Sequence, residues 1–489
     1  MNNILINNDF HYATESLLRV FFPNEKINNL YSSSQAAGDK NVFCEVHKTD
    51  NALQLIIRLN FGECKRELSR NIDTDSTVKE IELSLSRLLF EVLCEYTQYT
   101  PKWGIQTGVR PSKLLRNTIK KLGSAEMARE YLKNELKISP DRISLTEQVV
   151  KAQKKFIENN KKNDISIYIS IPFCPTRCEY CSFISHSIEK AAKLLPDYSE
   201  KLIQEIERTG VIVRSNNLRV KTVYIGGGTP TTLAANQLQR LLLSVESAFD
   251  LTDTTEFTVE AGRPDTITKE KLAVIKNSAA NRITINPQTF NDDVLKNIGR
   301  RHTSAQTVKA FKLAADMGFD NINTDLIAGL PGESVESFIN SVKSAVALGA
   351  QNITLHTLAL KRSSYLVTRD NLKNDLNAVT EQMIYNGNKI LYDNDYAPYY
   401  MYRQSRSVGN LENVGWCKHG KECEYNIYMM EELHSIIGIG AGAVTRLKDP
   451  GSEHIERIYN YKYPYEYIDG FDEILLRKNL INDFISKYY

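Results

Sequence analysis

The stretch ISIYISIPFCPTRCEYCSF, residues 165–183, joins an apolar strand pattern to three cysteines, Cys174, Cys178 and Cys181. Their spacing is C-x3-C-x2-C. Iron–sulfur clusters are held by cysteine thiolates, and three thiolates on one short loop can bind three irons of a four-iron cube. The fourth iron then keeps an open position, which is typical of reactive rather than structural metal sites. The pattern predicts a [4Fe–4S] cluster on these three residues.

Two other interpretations of the cysteines remain open at this point. A structural zinc site needs a fourth ligand, for which His186 is the nearest candidate. A ferredoxin-type cluster would show C-x2-C-x2-C with a fourth cysteine, so the x3 spacing matches it poorly. The other cysteines are predicted to be ordinary thiols, at positions 44, 64, 94, 417 and 423.

The overall composition excludes several classes of protein. The chain has 489 residues, of which 42% are hydrophobic and 25% charged, with a net charge of only +2. This balance gives no reason to expect a nucleic-acid or membrane partner. The N-terminus lacks a signal-peptide pattern, and no run of about 18 apolar residues predicts a membrane span. We therefore expect a cytoplasmic protein of two or three domains.

A regular alternation of strands and helices follows the cysteine strand. Apolar strand patterns recur between helical patterns, which predicts βαβ units and a parallel sheet. The strand patterns are ISIYISIPF (165–173), VKTVYIGGG (220–228), EFTVEAG (256–262), RITINPQTF (282–290), NINTDLIAGLP (321–331) and NITLHTLAL (352–360). Six such units, with polar groups at the strand ends, predict an α/β fold with a partial TIM-like (β/α)6 barrel.

Three regions follow from this pattern. Residues 1–160 mix strand and helix signals and are predicted to form an α+β accessory domain. Residues 161–360 form the barrel core. Residues 361–489 form a mixed, tyrosine-rich region that we expect to cover the substrate.

A glycine-rich turn ends the second barrel strand. VYIGGGTPT contains Gly226, Gly227, Gly228 and Thr229. Glycines leave backbone groups open to close approach. A phosphate-binding loop would have a lysine after the glycines, and this one does not. One strand after the cysteine loop, the turn looks like the element that binds the ammonium group of S-adenosylmethionine (SAM) in radical SAM proteins.

Polar residues lie at or near the ends of the next strands. Glu260 ends strand three and Gln288 strand four, Arg300 follows the next helix, and Asp325 lies on strand five. Such positions in a barrel typically form the site. Arginine pairs bidentately with a carboxylate, aspartate and glutamine can bind ribose hydroxyls, and glutamate can hold an ammonium or sulfonium group. The set matches the polar groups of SAM.

Together these motifs resemble the oxygen-independent coproporphyrinogen III oxidase (coproporphyrinogen dehydrogenase) family of radical SAM proteins. The matching strings are YISIPFCPTRCEYC, GGGTPT, TVEAGRPDTIT, PQTFNDDVLKNIGRRHT and NTDLIAGLPGES. WGIQTGVRPSKLL (103–115) and NVGWCKHGKECEYNIYMMEE (413–432) resemble its HemZ branch. Besides the three cysteines, the family pattern carries over to Tyr168, Tyr180, Gly227, Gly228, Thr229, Glu260, Gln288, Arg300, Asp325 and Ala359 as SAM-binding residues.

The resemblance implies a [4Fe–4S] cluster, SAM and an anaerobic step of haem synthesis. In that step a 5′-deoxyadenosyl radical takes a hydrogen atom from a propionate of coproporphyrinogen III, and loss of CO2 and an electron leaves a vinyl group. A reductant such as flavodoxin or ferredoxin is the implied protein partner. No residue is assigned to the hydrogen transfer itself. The alternatives are a haem-binding chaperone and a radical SAM enzyme acting on another tetrapyrrole.

Three positions depart from the family patterns. Phe183 stands where the oxidase has a fourth cysteine, and Ser170 stands where it has histidine. The haem chaperone branch shares the phenylalanine, but its H-N-x-x-Y-W motif has histidine where this chain has Tyr425. The chain therefore matches neither branch at every diagnostic position.

Other features have a structural and a functional interpretation. Arg403 and Arg406 are candidates for propionate binding or for a solvated basic loop. The segment GIGAGAVTRL (438–447) predicts tight backbone packing near the site, and His356 on strand six is either a cavity or a core residue.

Overall fold

The computed structural model describes residues 1–23, 25–35, 38–181, 186–359, 376–404 and 406–489. Phe183, one of the departures noted above, lies outside these residues. The chain forms two compact units. The first comprises Met1–Glu147 with Arg403–Glu412, and the second comprises Gln148–Tyr402 with Asn413–Tyr489. The division into three regions at 160 and 360 stays a prediction.

The first unit has a five-stranded sheet in the order β2-β1-β3-β4-β5 among its described residues. The strands are β1 Asn2–Ile6, β2 Asn28–Leu30, β3 Lys40–Lys48, β4 Leu53–Phe61 and β5 Cys64–Ile72. The helices are α1 His11–Phe21, α2 Val78–Thr97, α3 Pro111–Leu122, α4 Ala125–Asn134 and α5 Pro140–Asn159, the last of which continues into the second unit.

Alternate residues of β4 point to one side of the sheet and form the core of this unit. Leu55, Ile57 and Leu59 are fully buried on one face and belong to the same apolar cluster as Leu88 and Leu89 of α2. Helix α2 begins at a capping box, in which the side chains of Thr77 and Glu80 each accept from the other's backbone N–H. The mixture of strands and helices predicted for this part of the chain is observed.

The second unit has a large mixed sheet. Its strands are β6 Asp164–Ile171, β7 Phe173–Cys174, β8 His186–Ser187, β9 Arg219–Gly227, β10 Glu256–Gly262, β11 Arg282–Ile285, β12 Ile322–Ala328, β13 Asn352–Thr357, β14 Ala397–Arg403, β15 Glu412–Cys417, β16 Ser435–Ile439, β17 Val444–Lys448 and β18 Ile455–Tyr459. Across the described chain, the order is β14-β15-β13-β12-β11-β10-β9-β6-β16-β17-β18, while β7 and β8 pair separately.

Helices connect the strands of this sheet. They are α6 Ile188–Ala191, α7 Leu195–Ser215, α8 Ala235–Ala248, α9 Lys269–Lys276, α10 Asp292–Asn297, α11 Ser304–Asp316, α12 Val335–Ala347, α13 Leu376–Asp393, α14 Glu424–Glu431, α15 Pro464–Asp469, α16 Phe471–Arg477 and α17 Leu480–Tyr488. None of the described helices is both long and apolar enough to cross a membrane.

The six predicted barrel strands are β6, β9, β10, β11, β12 and β13, and they pair in parallel in that order. Their continuous apolar runs follow from burial on both faces. The predicted α/β fold with a parallel barrel-type sheet is confirmed.

The C-terminal region adds strands on both sides of this parallel sheet. Strand β16 pairs in parallel with β6, from Ser435↔Ile165 to Ile439↔Ile169, and β15 pairs antiparallel with β13. The strand that leads to the cysteines is therefore an interior strand.

The glycine-rich segment after β16 packs as predicted. Gly440 has φ +93°, and a Cβ there would lie 2.6 Å from the Ser170 carbonyl oxygen. The hydroxyl of Tyr198 donates to that same carbonyl at 2.7 Å.

Candidate active site

The three cysteines follow the C-terminal end of β6. Cys174 lies on the short strand β7, Cys178 is buried, and Cys181 is half-buried. The backbone N–H of Cys181 donates to the Cys178 carbonyl at 3.2 Å, which tightens the loop between them. One short segment thus carries all three thiols. We call residues 174–181 the cysteine loop.

The glycine turn at the end of β9 is hydrogen-bonded to the residues that lead into the cysteine loop. The N–H groups of Gly228 and Thr229 donate to the carbonyls of Ile171 and Phe173, both at 2.7 Å. The Thr229 hydroxyl donates to the Cys174 sulfur at 3.6 Å. A Cβ on Gly228 would lie 2.5 Å from the Phe173 carbonyl oxygen and 3.0 Å from the Cys174 sulfur, so this contact requires glycine.

Glu260, at the end of β10, lies among tyrosines. The Tyr224 hydroxyl donates to its Oε1 at 2.5 Å. Burial raises the pKa of Glu260 to about 7, although the Tyr224 hydrogen bond lowers it and nearby Asp325 adds to the rise. The carboxyl therefore titrates near neutral pH.

Three stacked tyrosines form a continuous aromatic surface beside Glu260, which we call the tyrosine floor. The ring of Tyr224 stacks on Tyr425 at 4.5 Å and on Tyr168 at 6.3 Å between centroids. Tyr168 belongs to β6, Tyr224 to β9 and Tyr425 to α14. Tyr224 was not among the predicted site residues. It lies two residues before Gly226 on β9, and this spacing places both on the same face of the strand.

Helix α14, which carries Tyr425, is anchored by a buried acid. Both carboxylate oxygens of Glu256 accept backbone N–H groups of the first helical turn, from Glu424 at 2.8 Å and Tyr425 at 3.3 Å. Glu256 also pairs with the buried Arg282 at 3.2 Å. The position of Tyr425 is therefore set by the first residue of strand β10.

Gln288 and Asp325 meet at adjacent strand ends. Gln288 has φ +72°, a conformation that is unusual for glutamine. Two backbone bonds hold it, because its N–H donates to the Asp325 carbonyl at 3.0 Å and its carbonyl accepts from Ile327 at 2.9 Å. The Asp325 carboxylate lies 3.6 Å from His356 Nε2. His356 is half-buried, and its Nδ1 lies 3.3 Å from the Tyr402 hydroxyl.

Arg300 lies next to the cysteine loop. It donates to the Asn286 carbonyl at 2.6 Å and to the hydroxyl of Tyr180, inside the loop, at 2.9 Å. Burial lowers the pKa of Arg300, but Tyr180 and Cys178 outweigh this effect and hold it above its ordinary value. Ala359 follows β13 and is half-buried, and the chain after it lies outside the described residues.

The residues present fit a cluster and SAM. Among the described residues, Arg300 Nε and Asn286 Oδ1 are buried without a hydrogen-bond partner, as expected where a ligand's polar groups belong. No three described His, Cys, Asp or Glu side chains lie close enough together to share one metal ion. A cubane cluster does not need that arrangement, because each thiolate binds a different iron.

Cys417, Cys423 and His186 each pack among neighbouring side chains. Cys423 donates to Glu256 at 3.2 Å, and burial raises the pKa of both Cys417 and Cys423, as expected of ordinary thiols. His186 packs edge-on against the rings of Tyr463 and Tyr465.

Arg403 differs from both interpretations offered by the sequence. It is buried, lies over the Trp103 ring, and donates to backbone carbonyls that include those of Gln106 and Asn410. It is therefore part of the packing of the first unit rather than of a solvated basic loop.

Comparison with known proteins identifies the family. The Radical SAM superfamily model matches residues 168–345. The chain is 36% identical over 471 residues to the oxygen-independent coproporphyrinogen-III oxidase-like protein HemZ of Bacillus subtilis (strain 168), covering 94% of this chain and 93% of that protein. It is 30% identical over 307 residues to the heme chaperone HemW of the same organism, covering 61% of this chain and 77% of HemW.

Among solved structures, coproporphyrinogen III oxidase (HemN) from Escherichia coli is similar, with a TM-score of 0.53 and 21% identity, over 67% of this chain and 73% of that one. This likeness supports the fold. The superfamily uses a [4Fe–4S] cluster and SAM, for which the cysteine loop and the strand-end residues are suited. The chain therefore belongs to the radical SAM superfamily, in the family of oxygen-independent coproporphyrinogen III oxidase-like proteins that includes HemZ.

Proposed function

We propose that the protein is a radical SAM enzyme that oxidatively decarboxylates propionates of coproporphyrinogen III. The observation that carries this proposal is the similarity to HemZ over 94% of the chain, because it includes the regions outside the barrel. The contact between the cysteine loop and the glycine turn supports the radical SAM chemistry itself.

The residues of the barrel each have a proposed task. Cys174, Cys178 and Cys181 hold the cluster, and Arg300 pairs with the SAM carboxylate. The backbone of Gly227 and Gly228 binds the SAM ammonium group, which Glu260 stabilises as a carboxylate. Gln288 and Asp325 bind the ribose hydroxyls. When bound, the cluster and SAM supply a deoxyadenosyl radical that abstracts a hydrogen atom.

The decarboxylation of each propionate requires an acceptor for one electron. Removal of a hydrogen atom from the β-carbon leaves a carbon radical next to the –CH2–COO− group. Cleavage of the bond to the carboxylate releases CO2, forms the vinyl double bond and releases one electron. A one-electron acceptor, such as an iron–sulfur or flavin protein, takes this electron. A reductant such as flavodoxin or ferredoxin supplies the electron that starts each round.

The interior of the second unit supports a tetrapyrrole substrate. The tyrosine floor offers aromatic ring faces of the kind that a flat tetrapyrrole can pack against. Aromatic contacts of this kind contribute about 0.5 to 1.5 kcal/mol each beyond the burial of area.

Anaerobic turnover tests the proposal. Reconstituted protein with SAM, reductant, an electron acceptor and coproporphyrinogen III should form 5′-deoxyadenosine, CO2 and a vinyl-bearing product detected by mass spectrometry. Cleavage of SAM without any change in the tetrapyrrole would contradict decarboxylase activity. A product of different mass would instead indicate a reaction on another tetrapyrrole.

The second candidate function is a haem-binding chaperone, which the similarity to HemW favours. Tyr425 weighs against it, because the chaperone motif H-N-x-x-Y-W has histidine at this position, where this chain has a stacked tyrosine. Stoichiometric haem binding by the reconstituted protein, with transfer to an acceptor and no porphyrinogen turnover, would support the chaperone.

A further inference from the structure

Strand β10 has an irregularity at the point where it reaches the site. Its pairing with β11 shifts register between Glu260 and Gly262, and Gly262 has φ +58°. A bulge of this kind bends the strand and re-aims the side chains that follow. The next residue is Arg263, whose guanidinium is directed at the cysteine loop and is only 3% exposed.

Arg263 contacts two partners. Its Nε and Nη2 donate to the two carboxylate oxygens of Asp265 at 3.0 and 2.7 Å, in a bidentate pair. Its Nη1 donates to the hydroxyl of Thr176 at 2.6 Å. Burial raises the pKa of Asp265, but the hydrogen bond and charge of Arg263 outweigh this and hold it below its ordinary value. The Asp265 carboxylate is therefore held in its charged form beside the guanidinium.

Thr176 connects this pair to the cysteines. It lies between Cys174 and Cys178, and its hydroxyl also lies 3.1 Å from the Gly299 carbonyl. The N–H of Glu179 donates to the neighbouring Ile298 carbonyl at 3.0 Å. The cysteine loop is thus tied both to Arg263 and to the segment that ends in Arg300.

We propose that Arg263 is a positioning residue for the cluster, which holds the cysteine loop through Thr176 and, with Asp265, sets the charge next to the cluster. Partners that orient metal ligands typically affect metal affinity by about 10- to 100-fold. The reduction potential of an iron–sulfur cluster depends on nearby charge and hydrogen bonds. The proposal goes beyond the proposed function, because it holds for any reaction that the cluster starts.

Three single variants of the reconstituted full chain test it: R263Q, D265N and T176V. The measurements are the rate of iron loss to a chelator and the midpoint potential of the cluster. R263Q and T176V should each lose iron about tenfold faster than the wild type. R263Q removes the tie to the loop, and T176V removes its short bond and leaves only the 3.4 Å contact of Nη1 with the Thr176 carbonyl. D265N keeps that tie and should lose iron more slowly than R263Q.

The potentials separate a positioning role from general destabilisation. R263Q leaves the Asp265 carboxylate unpaired and should lower the potential, whereas D265N leaves the Arg263 cation unpaired and should raise it. T176V removes no charge and should leave the potential unchanged. R263K keeps the charge with poorer geometry, so it should restore the potential more fully than the iron retention.

A matched control is R240Q, because Arg240 is exposed and pairs with Glu200 on the surface. Two results together would overturn the proposal. The first is that the midpoint potentials of R263Q and D265N equal each other or shift from the wild type in the same direction. The second is that T176V loses iron at the wild-type rate. If R263Q does not fold, T176V and D265N decide alone: wild-type iron retention in the first and a wild-type potential in the second would refute it. None of these measurements depends on tetrapyrrole turnover.

Discussion

Cys178 lies in the middle of the cysteine loop and is only 7% exposed, between two thiols that are more accessible. If it is a cluster ligand, C178A should leave reconstituted protein colourless, whereas the wild type should be brown and hold about four irons. Anaerobic iron analysis and absorption spectroscopy measure this. C64A is the control, since Cys64 lies in the other unit on β5, and full iron content in C178A would contradict the assignment.

Glu260 gives a second test at the scale of one residue. Its pKa of about 7 lies above the ordinary value of 4.5, so the folded state binds its proton more tightly than the unfolded state does. The resulting stabilisation is complete below pH 4.5 and is lost as the pH rises to about 7. Glutamine does not titrate, so the stability of E260Q relative to wild type should increase over this range, by up to about 3 kcal/mol.

Denaturant unfolding of the apo protein at several pH values between 4.5 and 7.5 measures this difference. E270Q is the control, because Glu270 is exposed in the first turn of α9. Parallel pH profiles for E260Q and wild type would show that Glu260 is not the titrating group.

Residue identities at the site were predictable where a motif fixes them, and their contacts were less so. The glycine turn and the strand-end acids were visible because the barrel brings parallel strand ends to one edge. The role of Tyr425 was not visible, because its neighbours Tyr168 and Tyr224 lie about 200 residues or more earlier in the chain. Arg263 was missed because GRPD has the composition of an ordinary turn.

At the scale of elements, the turn after β9 should tolerate no added side chain. G228A would place a Cβ 2.5 Å from the Phe173 carbonyl oxygen, which is backbone and cannot move without shifting the cysteine loop. We expect at least a tenfold loss of iron retention. G451A is the control, because the nearest atom there lies 3.4 Å away in a side chain. Wild-type iron retention in G228A would mean that the loop and the turn move independently.

The six barrel strands could be predicted because each is a buried parallel strand with a continuous apolar run. Strand β16 could not, because SIIGI is a short apolar run in a region without a repeat. Its partner β6 lies some 270 residues earlier, and only the completed fold brings the two together.

At the scale of the whole molecule, a buried charge pair connects the C-terminal segment to helix α7 within the second unit. Lys478, at the end of α16, lies 2.9 Å from Glu205 of α7, and both side chains are almost fully buried. Glu205 also accepts from Tyr467 at 2.6 Å and from Asn460 at 2.8 Å. One carboxylate therefore organises three parts of the C-terminal segment.

Breaking this pair should be costly. K478M leaves a buried carboxylate without its cation and should reduce the free energy of unfolding by about 3 to 5 kcal/mol. The double variant E205Q/K478M removes both charges and should be less destabilised than K478M alone. Denaturant unfolding measures both, with K487M on α17 as an exposed control. A double variant that is less stable than K478M would show that the charges do not interact.

The place of β6 between β9 and β16 also has a consequence for the order of synthesis. The ribosome makes the cysteines more than 250 residues before the strand that completes their sheet. At 5 to 20 residues per second, this interval lasts roughly 13 to 50 seconds. During that time one edge of the cysteine strand lacks its partner. We therefore expect iron and sulfide to be inserted after the chain has left the ribosome.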